Sequence, residues 1–147
     1  MVQEIYKKVQ VWIYSGDSKS NAKVLLLKMT PQRGGYFQPV TGSVEKGEIL
    51  SKAATREVFE ETGLTVKDNV ELLGYQFCFE GKWDWYQGEV EETCFEARVE
   101  SCPEVQLDPK EHDSCRWVSL DQAFDMLYYE SNKEALRTLI AKRFTSP

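Results

Sequence analysis

The alternation of apolar and polar positions predicts two β-strands at the beginning of the chain. Residues 6–14 alternate apolar side chains with others, which is the period-two pattern of a strand. After a turn-forming segment at 16–21, residues 22–29 form a nearly continuous apolar run, which is typical of a strand buried on both faces. A loop containing proline and two glycines then leads into the stretch 42–64.

The second half of the chain predicts three further strands. Residues 70–79 and 91–100 have strand-like patterns, and the aromatic-rich segment 80–90 joins them. We expect that segment to form a hairpin over a cleft. A polar loop at 103–113 precedes a short last strand at 114–120.

Two helices are predicted at the end of the chain, because Ser119 with Gln122 and Ser131 with Glu134 both have the capping-box pattern. Strands around one central helix, followed by terminal helices, indicate a mixed α/β layered domain. The chain has 147 residues, is 41% hydrophobic and contains no linker-like stretch. We therefore expect residues 1–147 to form a single domain.

The stretch 42–64 predicts a helix with carboxylates on one face. Glu57, Glu60 and Glu61 are spaced i, i+3 and i+4, so they lie one above another on a helix. Like charges placed in this way repel each other, and Arg56 is the nearest side chain that relieves the repulsion. A cation is therefore expected among these acids.

The position of these acids around the helix predicts that they face the body of the domain. At 100° per residue they continue the apolar stripe of Leu50, Ala53 and Ala54. The side chains on the far side are Lys52, Thr55, Phe59 and Thr62. Acids in a cleft offer the hard oxygen ligands that suit Mg²⁺, with Mn²⁺ as a substitute. An acidic surface helix is the competing interpretation.

The flanking residues predict a loop–helix–loop unit. Gly42 and Gly47 permit tight turns, and Glu48 falls where the helix dipole favours an anion. Gly63 stands where a left-handed cap ends a helix. The whole stretch resembles the Nudix box, Gly-x5-Glu-x7-Arg-Glu-U-x-Glu-Glu-x-Gly-U with U apolar, and it fills every specified position: Gly42, Glu48, Arg56, Glu57, Val58, Glu60, Glu61, Gly63 and Leu64.

The resemblance implies a Nudix-type α/β/α sandwich with a mixed β-sheet. It also implies a magnesium-dependent hydrolase in which water attacks a phosphorus of a nucleoside diphosphate linked to another group. By carry-over, Glu57 and Glu60 are catalytic metal ligands, Glu61 is a third ligand, and the carbonyl of Gly42 is a further one. Arg56 orients the acids through ion pairs. Glu48 belongs with the substrate-binding positions, as a support behind the ligands or an occasional ligand.

Three further segments narrow the resemblance within the family. Residues 37–48, 111–123 and 130–136 are similar to bacterial dATP pyrophosphohydrolases that act as dihydroneopterin triphosphate pyrophosphatases. This implies a small nucleotide or pterin triphosphate as the partner, with a monophosphate and pyrophosphate as products. The similarity also implies that Glu111 is a further ligand or the general base.

Several candidate residues keep a structural alternative. Lys7 lies where the subfamily has a basic residue for phosphate, although lysines at strand edges are common. Phe37 replaces a tryptophan of the similar enzymes, and we expect it to contact the ring of the substrate. Glu111 alternatively is a solvated loop acid, and His112 is expected to be a surface or hydrogen-bonded residue. The aromatic residues Trp83, Trp85 and Tyr86 either line the pocket or pack on the sheet.

The net charge, the apolar runs and the cysteines of the chain restrict the kinds of partner and compartment that we expect. A formal net charge of −6 argues against a long nucleic acid as the partner. No run of 18 apolar residues is present, so no membrane partner is expected and a cytoplasmic location is predicted. The cysteines form no CxxC pair and are predicted to be reduced thiols: Cys78, Cys94, Cys102 and Cys115.

Two rival functions remain from the sequence. One is a Nudix enzyme for another linked group, such as a dinucleoside polyphosphate or an RNA 5′ end. The other is a Nudix-fold module that binds a nucleotide without hydrolysing it; such modules usually have an eroded box, whereas every acid is present here. The sequence leaves the oligomeric state open.

Overall fold

The computed structural model describes residues 4–144. A mixed sheet is built from strands β1 to β7, with helix α1 between β4 and β5 and helices α2 and α3 at the end. The bounds are β1 Tyr6–Ser15, β2 Lys23–Met29, β3 Phe37–Gln38, β4 Val40–Ser43, α1 Leu50–Thr62, β5 Val70–Trp83, β6 Tyr86–Arg98, β7 His112–Ser119, α2 Leu120–Met126 and α3 Glu130–Arg143.

One side of strand β1 pairs with two different strands along its length, so these two strands separate from each other. β1 pairs in parallel with β6 on one side, from Tyr6 to Tyr14. On its other side the stretch Lys8–Val11 pairs with β4, whereas only Tyr14 and Ser15 pair with β2. β2 continues outward to β3 and also pairs with β7, while β5 is the strand beyond β6. β4 and β2 therefore diverge from the same strand.

Two hydrophobic clusters lie on opposite faces of this sheet. Val9, Val11 and Ile13 of β1 pack with the apolar side of α1. Trp12 and Tyr14 point the other way and pack with α2 and α3. Strand alternation therefore gives three layers, α1, the sheet and the α2–α3 pair, which confirms the predicted mixed α/β sandwich.

The structure confirms most predicted strands and extends two of them. β5 and β6 run into the aromatic segment and leave only Asp84 and Trp85 between them, so the predicted hairpin is present. β7 begins at His112, earlier than predicted, because His112 pairs with Met29 of β2. No helix within residues 4–144 is both long and apolar enough to span a bilayer. The cytoplasmic location stays a prediction.

One of the two predicted capping boxes is wrong. Ser119 caps α2 as predicted, and it exchanges hydrogen bonds with Gln122 in both directions. The second box fails because α3 begins at Glu130 with Tyr129 as its N-cap. Ser131 therefore lies inside the first turn of the helix.

Helix α1 begins later than predicted, ends where predicted, and has one residue, Thr62, on a different face from the predicted one. It begins at Leu50, so Glu48 precedes the helix, and the carboxylate of Glu48 accepts a hydrogen bond from the Glu45 N–H. The helix ends at Thr62, where Gly63 has a φ of 76° and caps it in the left-handed conformation, as predicted. Thr62 is fully buried and does not lie on an outer face, because the following loop crosses it and Gln106 donates to its carbonyl.

Candidate active site

Arg56 holds three carboxylates at the edge of α1. Its Nη1 lies 2.9 Å from Glu57 Oε1 and 3.0 Å from Glu60 Oε2. Its Nε and Nη2 bind Glu48 at 2.8 and 2.9 Å, and Nη2 also donates to the Ser43 carbonyl. The guanidinium holds the pKa of Glu48 at about 2. A fork of donors in a fixed plane therefore sets the positions of acids that would otherwise repel each other.

Glu57 lies against the backbone of β4. A Cβ added to Gly42 would be 1.9 Å from Glu57 Cδ, so only glycine leaves room for this carboxyl group. Glu57 is only 8% exposed. Burial raises its pKa to about 7, against the lowering effect of Arg56, and the charges of Glu60 and Glu111 raise it further. Ionised Glu57 is therefore short of positive charge.

Glu61 and the end of the late loop form the other side of the site. Glu61 is 3% exposed, and its Oε2 lies 2.8 Å from His112 Nδ1. Neither atom makes a hydrogen bond with a described residue. Of the two expected placements of His112, surface or hydrogen-bonded, burial excludes the surface one. Strand β7, which starts at His112, holds it against Glu61.

Glu111, at the end of the loop before β7, lies next to Glu61. The neighbouring Glu61 carboxylate and burial raise the pKa of Glu111 to about 7, while Arg33, with its Nη1 3.3 Å away, lowers it. The Glu111 carbonyl accepts from the Thr30 N–H, which fixes the loop beside β2. The solvated-loop interpretation does not fit a carboxyl group packed against Glu61. We call Glu57, Glu60, Glu61 and Glu111 the acid cluster.

The donor set of the acid cluster fits a hard divalent cation. Within residues 4–144, no three acidic, thiol or imidazole groups are gathered closely enough to enclose an ion by themselves. Mg²⁺ needs no such cage, because it is usually held by one or two carboxylates together with waters and substrate phosphates. Within residues 4–144 the buried Glu61 Oε2 makes no well-aligned hydrogen bond, although His112 Nδ1 lies 2.8 Å away, and a buried carboxylate oxygen without such a bond is costly. A cation at this position would satisfy it.

A cleft of about 1090 Å³ connects the acid cluster to a wall of aromatic rings. We call it the central cleft. At one end it is lined by the acid cluster and Gly42, and Lys8 and Glu92 of the sheet also line it. Aromatic rings of β5 and its hairpin also line the cleft: Tyr75, Phe77, Phe79, Trp83 and Trp85. The start of α3 contributes Tyr129 and Asn132. We call the part of the cleft lined by the acid cluster its acidic end and the part lined by these rings its aromatic end.

None of the three predicted substrate-binding residues lines the central cleft. Lys7 is exposed and does not line it, whereas Lys8 does, because neighbouring strand residues point to opposite faces. Phe37 packs against the core on the α2–α3 side and bridges to Leu127, and its neighbour Gln38 lines the cleft instead. Glu48 is bound to Arg56 and does not line the cleft.

The predicted alternatives for Trp83, Trp85 and Tyr86 are that they line the pocket or that they pack on the sheet, and the three residues differ in this respect. Trp83 and Trp85 line the central cleft and stack with centroids 4.9 Å apart. Tyr86 does not line it and instead donates to the carbonyls of Glu4 and Glu89. The predicted hairpin therefore closes one side of the cleft.

Sequence analysis missed two polar residues near the cleft, Gln10 and Glu92. Both are buried in the sheet, and Gln10 donates to Glu92. Gln10 interrupts the apolar and aromatic stretch 9–14 of β1, and this interruption is the signal that the sequence offers. Their meeting depends on the parallel pairing of β1 with β6, which local patterns do not reveal.

Comparison with known proteins gives one family. The NUDIX domain family model matches residues 7–139. An octanoyltransferase of Myxococcus xanthus is 36% identical over 120 residues, which cover 82% of this chain and 33% of that protein. An NAD-capped RNA hydrolase NudC of Escherichia coli is 36% identical over 98 residues, 67% of this chain and 35% of that protein. The chain thus spans about a third of the length of these relatives.

A solved structure extends the likeness over nearly the whole chain. The dihydroneopterin triphosphate pyrophosphohydrolase of E. coli superposes with a TM-score of 0.79 at 24% identity, covering 95% of this chain and 99% of that chain. At this identity the likeness establishes the fold alone. It agrees with the α/β/α sandwich described above.

Proposed function

This chain belongs to the Nudix family, and on that basis we propose that it is a Mg²⁺-dependent pyrophosphohydrolase of small nucleoside triphosphate-like substrates. The bond broken is the one between the α and β phosphates, and the products are a monophosphate and pyrophosphate. One observation carries the proposal: a single cleft joins the acid cluster to a wall of aromatic rings. Such a cleft has one end for a metal-bound triphosphate and another for a flat ring.

The acidic end contains the residues that would hold the cation. We assign Glu57, Glu60 and Glu61 as carboxylate ligands, with the Gly42 carbonyl as a further ligand. The bound metal would neutralise the phosphate oxygens and lower the pKa of a bound water. Arg56 is a positioning residue, because it fixes Glu57 and Glu60 through Nη1. Mn²⁺ has similar ligand preferences and is the expected substitute.

Glu111 is the residue that we assign as the general base. Its carboxyl group lies beside Glu61, and its pKa is raised to about 7. A cation bound at Glu61 would keep Glu111 ionised, so that its carboxylate could accept a proton from the attacking water. Arg33 holds the carboxyl group on its other side at 3.3 Å. A proton taken from the attacking water would therefore reside on Glu111.

The aromatic end supports a nucleobase or a pterin ring. Stacking on an aromatic side chain contributes roughly 1–3 kcal/mol per base. Trp83, Trp85 and Phe77 are in the cleft, so we move the ring contact from Phe37 to these residues. Likewise, Lys8 replaces Lys7 as the lysine nearest the substrate. The charge of −6 favours small substrates over long nucleic acid.

A substrate panel tests the proposal. The metal-loaded protein is incubated with dATP, GTP, dihydroneopterin triphosphate, a diadenosine polyphosphate, and triphosphorylated and NAD-capped RNA, and pyrophosphate and phosphate are assayed. We expect pyrophosphate from the small triphosphates. Turnover confined to the dinucleotide or to RNA would contradict the proposal. A Glu57→Gln preparation, expected to be inactive, controls for contaminating hydrolases.

A further inference from the structure

A carboxyl group lies buried in the central cleft, outside the acid cluster. Glu92 of β6 is 5% exposed and lines the cleft, directly opposite Phe77 of β5. Within residues 4–144 only Gln10 donates a side-chain hydrogen bond to it, from Nε2 to Oε2 at 2.6 Å, and Lys8, whose charge acts on it, forms no ion pair with it. Glu92 is thus neither part of an ion pair nor part of the proposed metal site.

The hydrogen bond from Gln10 to Glu92 has a direction that is set by Trp12. Trp12 Nε1 lies 2.7 Å from Gln10 Oε1, and an indole N–H only donates. The Gln10 oxygen must therefore face Trp12, which turns its NH₂ group towards Glu92. Trp12 and Gln10 are both fully buried. Trp12 therefore donates to Gln10, Gln10 donates to Glu92, and Glu92 is the acceptor at the wall of the cleft.

Glu92 has unused capacity to accept hydrogen bonds. A carboxylate accepts at roughly four lone-pair sites, and Gln10 occupies one of them. Burial raises the pKa of Glu92, and the charge of Lys8 opposes this only in part. The ionised form therefore lacks partners that N–H groups of a ligand in the cleft would supply.

We propose that Glu92 is a specificity-determining residue that accepts hydrogen bonds from a ring N–H and an adjacent exocyclic NH₂ of the substrate. It would thereby select rings in which an amino group adjoins a ring N–H next to a carbonyl, as in guanine and pterin, over adenine. This rests on the proposed function of the same cleft. Guanine and pterin rings present two neighbouring donors to a carboxylate. Adenine presents an NH₂ next to an unprotonated ring nitrogen, whose lone pair would face the carboxylate.

The neighbouring rings suit such a ligand. Tyr75, Phe77 and Phe79 form a row along β5, with ring centroids 5.7 and 6.0 Å apart. Phe77 is the cross-strand partner of Glu92, so the acceptor lies beside an aromatic surface. A substrate ring in contact with Phe77 would therefore lie next to the Glu92 carboxyl group on the neighbouring strand.

Comparison of wild type with Glu92→Gln tests the proposal. In Mg²⁺, kcat/KM is measured for dGTP, for dITP, which lacks the 2-amino group, and for dATP. For the wild type we expect dGTP to exceed dATP by roughly tenfold or more, with dITP between them, as fits hydrogen bonds to a charged acceptor. Glu92→Gln should reduce the ratio to within about threefold, mainly through the KM for dGTP.

Glu80→Gln is the matched control. Glu80 is an exposed acid that lines the same cleft, so its replacement removes one charge there and leaves the buried carboxyl group in place. The dGTP:dATP ratio of this variant should stay within about twofold of wild type. The melting temperature of each variant verifies that it is folded. A ratio unchanged by Glu92→Gln, in a folded protein, overturns the proposal.

A binding measurement separates this inference from the proposed function. Calorimetry with α,β-methylene analogues of dGTP and dATP gives Kd ratios without hydrolysis. A tighter Kd for the dGTP analogue that is lost in Glu92→Gln supports the proposal even if no triphosphate is cleaved, in which case the proposed function alone fails. Equal Kd values for the two analogues in the wild type overturn the role of Glu92.

Discussion

The carboxyl group of Glu57 lies directly on the backbone of Gly42, where an added Cβ would stand 1.9 Å from Glu57 Cδ. The glycine on β4 and the acid on α1 thus fit together across two elements. Any side chain at position 42 must displace the carboxyl group from its place in the acid cluster.

Gly42→Ala should therefore disable the site with little effect on the rest of the fold. We expect kcat to fall by about 10²-fold or more, because a displaced ligand costs several kcal/mol of metal-assisted stabilisation. Steady-state kinetics and thermal melting measure the two effects. Gly47→Ala is the control, because nothing lies within 4 Å of its added Cβ; its φ of 77° predicts lower stability with kcat retained. Equal kcat values for the two variants would refute the assignment.

Arg56→Lys should show that the shape of the guanidinium matters as well as its charge. A lysine keeps the charge but cannot bridge Glu48, Glu57 and Glu60 while also donating to the Ser43 carbonyl. We expect kcat to drop by roughly tenfold or more, together with a lower melting temperature. Arg137→Lys, at an exposed ion pair, should leave both nearly unchanged. Similar losses in both variants would contradict a special role for Arg56.

Glu111→Ala should impair chemistry and spare the fold. Loss of the general base predicts a fall in kcat of about 10²-fold. Without metal, the melting temperature should stay equal or rise, because the Glu61 carboxylate loses a repelling neighbour. Stabilisation by Mg²⁺ with nucleotide should weaken. Exposed Asp113→Ala is the control. If kcat stays within about threefold of wild type while Glu60→Gln is inactive, the base is another residue.

Glu92 should make stability depend on pH. Its pKa in the folded protein is raised by burial, so its favourable contribution is complete below the unfolded pKa and is lost as pH rises through the folded value. Glu92→Gln avoids this loss. Melting temperatures in EDTA, from about pH 4 to about pH 8, should show the variant gaining on wild type as pH rises. Glu80→Gln is the control, and its melting temperature should differ from that of the wild type by the same amount at every pH. The same constant difference for Glu92→Gln would contradict this account.

The sequence predicted the parts of the site that depend on local spacing. Glu57, Glu60 and Glu61 share a helix face because of the helical repeat, and Gly63 caps that helix as expected from its conformational freedom. The three layers follow likewise from strand alternation in β1. These features need no knowledge of which strands pair.

The sequence did not predict features that depend on distant pairing. The choice between Lys7 and Lys8 depends on which face of β1 borders the cleft. Thr62 is buried by a loop that crosses the end of α1, and Phe37 is held by the core below α2. Glu92 meets Gln10 only because β6 lies beside β1. In each case a contact remote in sequence outweighs the local pattern.

Phosphorus NMR of a triphosphate mixed with metal-free protein tests the central claim most directly. On addition of Mg²⁺, resonances of a monophosphate and pyrophosphate should appear together, and excess EDTA should stop the reaction while the circular dichroism of the fold stays the same. Glu60→Gln should lower the rate by about 10³-fold. Orthophosphate and a diphosphate as products, or full turnover in EDTA, would contradict a metal-dependent cleavage between the α and β phosphates.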